Sequence, residues 1–284
     1  LHTYVDDSNE SELRARVESF GNVSLYVERV DRTISFDYVH PLSVPHIQPP
    51  PHLLPEIGKL QLTGDIILRF GMMEGDAVVR GRRVTYDPQS AYRPTGFSAN
   101  GSEAEHLAIV ANGYEVRALT GKSDALEGAR ELLRTESAEI VVVKQGSKGA
   151  LVVGEKSQEA VSAYRSEAVF SIGSGDIFAA AFAYFWGECE LEPTEAADLA
   201  SRSTALYCES RSAPLRERVD LLGVRRETVK ASEGRVYLAG PFFTLGERWL
   251  VEESRAHLRG MGLGVFSPIH DIGPGPASVV GPAD

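Results

Sequence analysis

The spacing of apolar positions changes along the chain, and each change marks an element. Residues 8–20 carry Leu13, Ala15, Val17 and Phe20 in a helical spacing that stops at Gly21, which predicts a short helix. From Val23 to Val39, the apolar Leu25, Val27, Val30, Ile34, Phe36 and Tyr38 partly alternate with polar residues. That is the pattern of half-exposed strands, and it predicts a small antiparallel unit. Six prolines between Pro41 and Pro55 exclude a regular helix or central strand and predict a loop or lid edge.

Further along, Gly64–Gly71, Ala77–Val79 and Arg83–Pro88 contain short apolar runs punctuated by Gly or Pro, as in buried parallel strands. Glu103 to Asn112 reads as a helix leading into a short strand. Ser123–Thr135 reads as a helix with Leu126, Ala129, Leu132 and Leu133 on one face, and Ile140–Lys144 as a strand. Helices follow at Ile177–Trp186 and from Pro193, which suits a first turn, to about Cys208. This alternation predicts an α/β fold, a mainly parallel sheet flanked by helices. Residues 211–234 are charged and read as a linker. After them Arg235–Phe243, a helix from about Leu245 to Arg259 and a strand at Gly264–Phe266 form the start of a second strand-helix-strand unit.

Composition narrows the function. A hydrophobic fraction of 43% over 284 residues excludes a disordered chain and supplies a core. A net charge of −11 without a Lys/Arg-rich block argues against nucleic acid as partner. Ile177–Trp186 is about half of the roughly 20 residues that span a bilayer, and no basic-then-apolar leader is present, so no membrane partner is expected. The first residue is not Met, and the start reads as the interior of a longer frame or a processed product. Cys189 and Cys208 are too few for a disulfide framework and read as reduced thiols of a cytoplasmic protein. His40, His46 and His52 have a spacing that fits no compact metal motif.

The stretch with most chemistry is Ser171-Ile172-Gly173-Ser174-Gly175-Asp176-Ile177-Phe178, followed by the helix-forming run to Trp186. Two glycines let the backbone turn and approach a ligand, so the helix N-terminus offers N–H groups and a positive dipole end to an anion. Asp176 falls in the first turn, where a carboxylate either caps the helix or accepts a proton.

Ahead of this turn stand Asn112-Gly113-Tyr114-Glu115, then Leu119-Thr120-Gly121, then Lys144-Gln145-Gly146-Ser147-Lys148-Gly149-Ala150. That order resembles the ribokinase, or PfkB, family of carbohydrate and nucleoside kinases over about residues 75 to 210. The resemblance implies a ribokinase-like sheet with a small β lid, and phosphoryl transfer from ATP, with Mg²⁺, to a hydroxyl of a sugar or nucleoside. It assigns Asp176 as general base and Gly173, Ser174 and Gly175 as anion hole. It places Lys144, Gly146, Ser147 and Gly149 near the nucleotide, and lets Asn112 and Glu115 organise Mg²⁺ through water. Asn112 and Glu115 also fit a helix-capping box, and both roles are compatible. A homodimer is an open expectation.

The sequence departs from the family in three places. Phe170-Ser171-Ile172 stands where the family has Asp-Thr, which puts a monovalent-cation site in doubt. Ser174 replaces Ala. The family's first strand, with its substrate-binding Asp and early Gly-Gly pair, has no match, so part of the sugar-binding floor is missing. At the other end, Tyr237-Leu238-Ala239-Gly240-Pro241-Phe242 resembles the opening of the nucleoside 2-deoxyribosyltransferase family over residues 235–284, where Tyr237 and Phe242 at most line a pocket. The expected organisation is a kinase domain at 1–215, N-terminally incomplete, a linker at 216–234 and a partial transferase-like domain at 235–284. The competing readings are a glycosyl-transferring salvage protein and a catalytically silent ligand-binding module.

Overall fold

The computed structural model describes residues 1–39, 45–54, 57–89, 93–168, 170–211, 216–224, 226–230, 234–260 and 263–273; His40 and most of Pro41–Pro45 lie outside them. The chain divides into two compact units, residues 1–145 with 149–228, and residues 146–148 with 229–284.

The first unit opens with β1 (His2–Val5), α1 (Glu10–Glu18) and β2 (Tyr26–Arg29), whose two strands pair parallel. This corrects the antiparallel reading of Val23–Val39. Of the strands described within 23–39, β3 (Ser35–Asp37) does pair antiparallel, with β4 (His46–Gln48). Alternation tells which face of a strand is exposed but not which strand it meets, and α1 supplies the crossover that parallel pairing needs.

Next come β5 (Leu60–Phe70), β6 (Ala77–Asp87), β7 (Glu103–Asn112), α2 (Gly113–Thr120), α3 (Ala125–Thr135), β8 (Ile140–Lys144), β9 (Ala150–Gly154) and β10 (Gln158–Val161). They are followed by α4 (Ser174–Phe182), which runs on as a π turn at Ala183–Glu188, then by α5 (Pro193–Ser210) and α6 (Arg218–Gly223). The main sheet has the order β10-β9-β8-β7-β6-β5. Its β5 to β8 are parallel, and β9 and β10 add antiparallel at one side. The expected α/β fold with a mainly parallel sheet is present.

Glu103–Asn112 is strand throughout, not a helix leading into a strand. Glu103, Ala104 and His106 pair with Arg80, Gly81 and Arg83 of β6, and this pairing overrides the helix preference of Glu and Ala. Ala77–Val79 and Arg83–Asp87 likewise join into one strand. Phe70 faces Asp87 while Leu60 faces Ala77, so a straight pair would put Phe70 about 33 Å from Ala77, farther than the roughly 25 Å that residues 71–76 can span. The pair therefore bends; its register is interrupted between Gly64–Gly81 and Ile66–Arg83, and Arg69 reaches Asp76 at 2.9 Å.

Side chains alternate between two cores. Leu107, Ile109 and Ala111 of β7, with Val141 and Val143 of β8, pack against Val116 of α2 and Ala129 and Leu132 of α3. Ala108, Val110, Ile140 and Val142 face Phe178 and Phe182 of α4 and Leu199 of α5. The nearly unbroken apolar runs of β7 and β8 follow from burial on both faces.

Part of the stretch read as a linker is structured. Residues 218–223 form α6, whose Leu221 is 1% exposed in the second of these cores; Tyr164 bridges Thr228, and Arg226 bonds Glu209 at 2.8 Å. The second unit contains β11 (Arg235–Tyr237), α7 (Leu245–Gly260), β12 (Gly264–Phe266) and α8 (Pro268–Asp271), with β11 and β12 parallel, as the strand-helix-strand pattern predicts. Among the described residues, no helix is long and apolar enough to cross a membrane.

Candidate active site

Because β5 to β8 run parallel, their last residues Phe70, Asp87, Asn112 and Lys144 come to one edge of the sheet, the edge where open α/β sheets bind ligands. Phe70 registers with Asp87, and Asn112 with Lys144. Asp87 is fully buried and accepts a 2.5 Å hydrogen bond from Lys144 Nζ. Burial pushes its carboxyl above the ordinary aspartate range, and the ammonium opposes that push.

The α2 helix starts at the end of β7. Asn112 is its cap: Asn112 Oδ1 accepts from the Glu115 amide at 2.9 Å, and Glu115 Oε2 accepts from the Asn112 amide at 2.7 Å. This is a closed capping box, with both helix-end donors satisfied. Glu115 is only 4% exposed, and burial, with the like charge of Asp87 second, raises its pKa against Lys144 and its bonds to Asn112.

The α4 helix starts differently. Its cap is Gly173, in the left-handed region at φ 79°, and no side chain bonds to the helix end. A Cβ there would lie 2.7 Å from the Tyr207 hydroxyl, so glycine is required twice over. Asp176 is the third helical residue and not the cap, which removes the plain capping explanation for it. Its Oδ1 instead accepts from Gln89 Nε2. The Ser174 amide donates to Ser171 O at 3.1 Å, which leaves the amides of Gly175 and Asp176 as the helix-end donors. Surrounding protein raises the Asp176 pKa, with Asp87 adding to the effect and Lys144 opposing it. More than a third of Asp176 is nevertheless open to solvent, so water screens these interactions and can reach the carboxylate.

A cleft of about 1010 Å³ brings Asn112, Glu115, Gly173 and Asp176 together, with Phe36 and Tyr38 of the β3 region among its walls. Lys144 belongs to the same group: its Nζ lies 3.6 Å from where a Cβ on Gly175 would be. The other expected nucleotide residues are not gathered there. Gly149, at φ 86°, is needed for packing, since a Cβ would meet Val161 O at 1.9 Å. Gly146 and Ser147 lie on a 3-10 turn that groups with the second unit.

Asp87 belongs to none of the sequence motifs. Its available signal was an acid closing an apolar strand just before a proline, hence at the ligand-binding edge of a parallel sheet. No group of three or more His, Cys, Asp or Glu among the described residues could hold a metal ion directly. With one Glu115 oxygen committed to the capping box, Asn112 and Glu115 suit an ion that keeps its waters, as Mg²⁺ does.

The fold is ribokinase-like α/β, and it sets the Asp176 carboxylate in the first turn of a helix at the cleft. The pfkB family carbohydrate kinase model matches residues 105–216, the segment that carries Asn112, Glu115, Lys144 and the glycine turn. A fructokinase from Vibrio cholerae, in a structure with fructose, ADP and calcium ion bound, is 18% identical and superposes with a TM-score of 0.53 over 78% of this chain and 83% of its own. A ribokinase from Thermotoga maritima is 20% identical, with a TM-score of 0.53 over 78% of this chain and 80% of its own. No curated protein matches the chain.

Proposed function

We propose that this chain transfers the terminal phosphoryl group of ATP to a hydroxyl of a sugar or nucleoside. The observation that carries the proposal is Asp176, held on the wall of the cleft in the first turn of α4, whose Gly173 cap has no side chain to offer the helix-end N–H groups. In the reaction, the acceptor hydroxyl gives its proton to the Asp176 carboxylate while its oxygen bonds to the γ-phosphorus. The bond from that phosphorus to the bridging oxygen breaks, and ADP leaves. Phosphoryl transfer asks the protein mainly for positioning and charge neutralisation. The glycine turn, Gly173 to Gly175, supplies both through its amides and the helix dipole, and the Lys144 ammonium adds positive charge beside it.

Asn112 and Glu115 would hold Mg²⁺ through water, and the ion would neutralise phosphate charge. Lys144, Gly146, Ser147 and Gly149 are assigned to the nucleotide side on the motif order alone. Fructose and ADP in the similar fructokinase support a sugar acceptor and an adenine nucleotide. Residues 235–284 are assigned to the opening of a nucleoside 2-deoxyribosyltransferase-like domain on the Tyr237–Phe242 turn, and no chemistry is routed through them.

The test is calorimetry with ATP and Mg²⁺ on the folded chain, followed by a screen of sugars and nucleosides for ATP-dependent phosphorylation. Nucleotide binding and turnover of one acceptor class are expected. A folded sample that binds no nucleotide would overturn the proposal.

A further inference from the structure

Three successive carbonyls precede the glycine cap, and each is taken by a side-chain donor. Cys208 Sγ donates to Phe170 O at 3.2 Å, Ser174 Oγ to Ser171 O at 2.7 Å, and Tyr207 Oη to Ile172 O at 3.0 Å. Two of these donors are neighbours in the last turns of α5, where Arg211 also lays its guanidinium over the Phe170 ring at 4.2 Å and Phe170 tilts against Tyr207. The Tyr207 hydroxyl fills the space beside Gly173 so closely that no side chain fits there.

A turn that aims its amides at an anion must send its carbonyls the other way. Clustered carbonyls then need hydrogen-bond donors or a bound cation. The family that the motifs from Asn112 to Asp176 resemble implies a monovalent-cation site just ahead of the glycine turn, and Phe170-Ser171-Ile172, which stand there in place of Asp-Thr, do not fit one. The segment offers no carboxylate, and its three backbone oxygens already accept O–H and S–H donors from the protein itself.

We infer that Tyr207 and Cys208, with Ser174, form a hydrogen-bond lock that holds the glycine turn in place without a monovalent cation. Tyr207 and Cys208 are positioning residues in this arrangement: they touch the turn and not the substrate. The consequence for turnover rests on the kinase reading, whereas the lock itself does not. Phosphoryl transfer by this chain is then indifferent to K⁺, because the turn is already ordered when ATP arrives.

Two measurements test this separately. The first is hydrogen exchange of the amides at residues 171–178 in the intact chain, with and without K⁺. Replacing KCl by tetramethylammonium chloride at equal ionic strength should leave this exchange unchanged, and Tyr207→Phe should speed it about three- to tenfold, as expected for one lost hydrogen bond. Cys208→Val, close in size and without the donor, should shift it in the same direction, and serves if Tyr207→Phe does not fold. Exchange unchanged in both variants, or marked protection of the parent turn by K⁺, would overturn the lock. The second measurement is turnover with the acceptor found by the screen. The parent should change less than twofold between the two salts, while Tyr207→Phe should lose activity in tetramethylammonium and recover with K⁺. A parent activated more than tenfold by K⁺ would overturn the inference. Absence of turnover with every acceptor would count against the kinase reading alone, because the exchange result stands without it.

Discussion

Two helices open onto the same cleft, and each carries an acid at its third position, yet they use that acid in opposite ways. At α2 the cap is Asn112, which has an oxygen to offer, and Glu115 folds back to close the box. At α4 the cap is Gly173, which has none, and Asp176 turns outward to Gln89 and the cleft. The acid is the same kind of group at the same helical position. What differs is the residue three places earlier, and that residue decides whether the carboxylate serves the helix or remains available to a ligand.

The sharpest way to break this comparison is to neutralise both acids. Asp176→Asn should lower turnover by about 10²- to 10⁴-fold, the range for loss of a general base, with little change in the apparent affinity for ATP. Glu115→Gln keeps an oxygen for the Asn112 amide, and should change turnover less than about tenfold while raising the Mg²⁺ concentration needed. Steady-state kinetics on both variants decides. Equal losses would mean that the two carboxylates share one task.

The comparison also shows how much could be read in advance. The glycine turn, the Asn112 to Glu115 spacing and Lys144 were legible because each is a local pattern with a local physical cause. Asp87 was not, because what sets it apart is complete burial against Lys144, 57 residues away, and no local pattern encodes that pairing. Glu103–Asn112 differs from its pattern for a related reason: Glu, Ala and Leu favour a helix by themselves, while the neighbours β6 and β8 that make the segment a strand come from elsewhere in the chain. The parallel order of the central strands was legible, since buried apolar runs alternating with amphipathic helices leave few other arrangements. The parallel pairing of β1 with β2 was not, because four-residue strands carry too short a pattern to name their partner.

Beneath the two helix ends lies the Asp87–Lys144 pair, and the next prediction tests whether it supports them. Lys144→Met removes the partner of a fully buried carboxylate and should cost roughly 3–5 kcal/mol, measured by chemical denaturation. Adding Asp87→Asn to that variant should recover most of the loss, since no buried charge is then left unpaired. If the double variant is no more stable than Lys144→Met alone, the lysine stabilises the edge through packing, and the pair contributes little through charge.

The pH dependence of turnover distinguishes the two acids again. Asp176 must be ionised to take a proton, and its pKa lies above the ordinary aspartate value through surrounding protein first and the Asp87 charge second. The acid limb of kcat/KM should therefore fall at higher pH than an ordinary aspartate would give. In Asp87→Asn the like charge is gone while Lys144 still favours the ionised form, so the limb should move to lower pH. Glu115→Gln should leave the limb in place. Movement of the limb with Glu115 instead would identify the capping acid as the titrating group.

The smallest expected effect concerns the caps themselves. Asn112→Ala removes the side-chain oxygen that meets the Glu115 amide and should cost about 1 kcal/mol. For a protein of this size that is a fall in Tm of about 2–4 °C. Gly173→Ala has no side-chain cap to lose, but it forces a Cβ into the left-handed region, at a cost of roughly 1–2 kcal/mol, and against the Tyr207 hydroxyl. Similar stability losses should come with different functional losses. Asn112→Ala loosens a helix end whose acid is already committed to structure, whereas Gly173→Ala pushes the Ile172 carbonyl and the following amides away from the positions that Tyr207 sets. Thermal unfolding and turnover measured together on the two variants would show this. If Gly173→Ala lost stability but kept its turnover, the shape of the turn would have no catalytic weight, and the two helix ends would differ only in how they are capped.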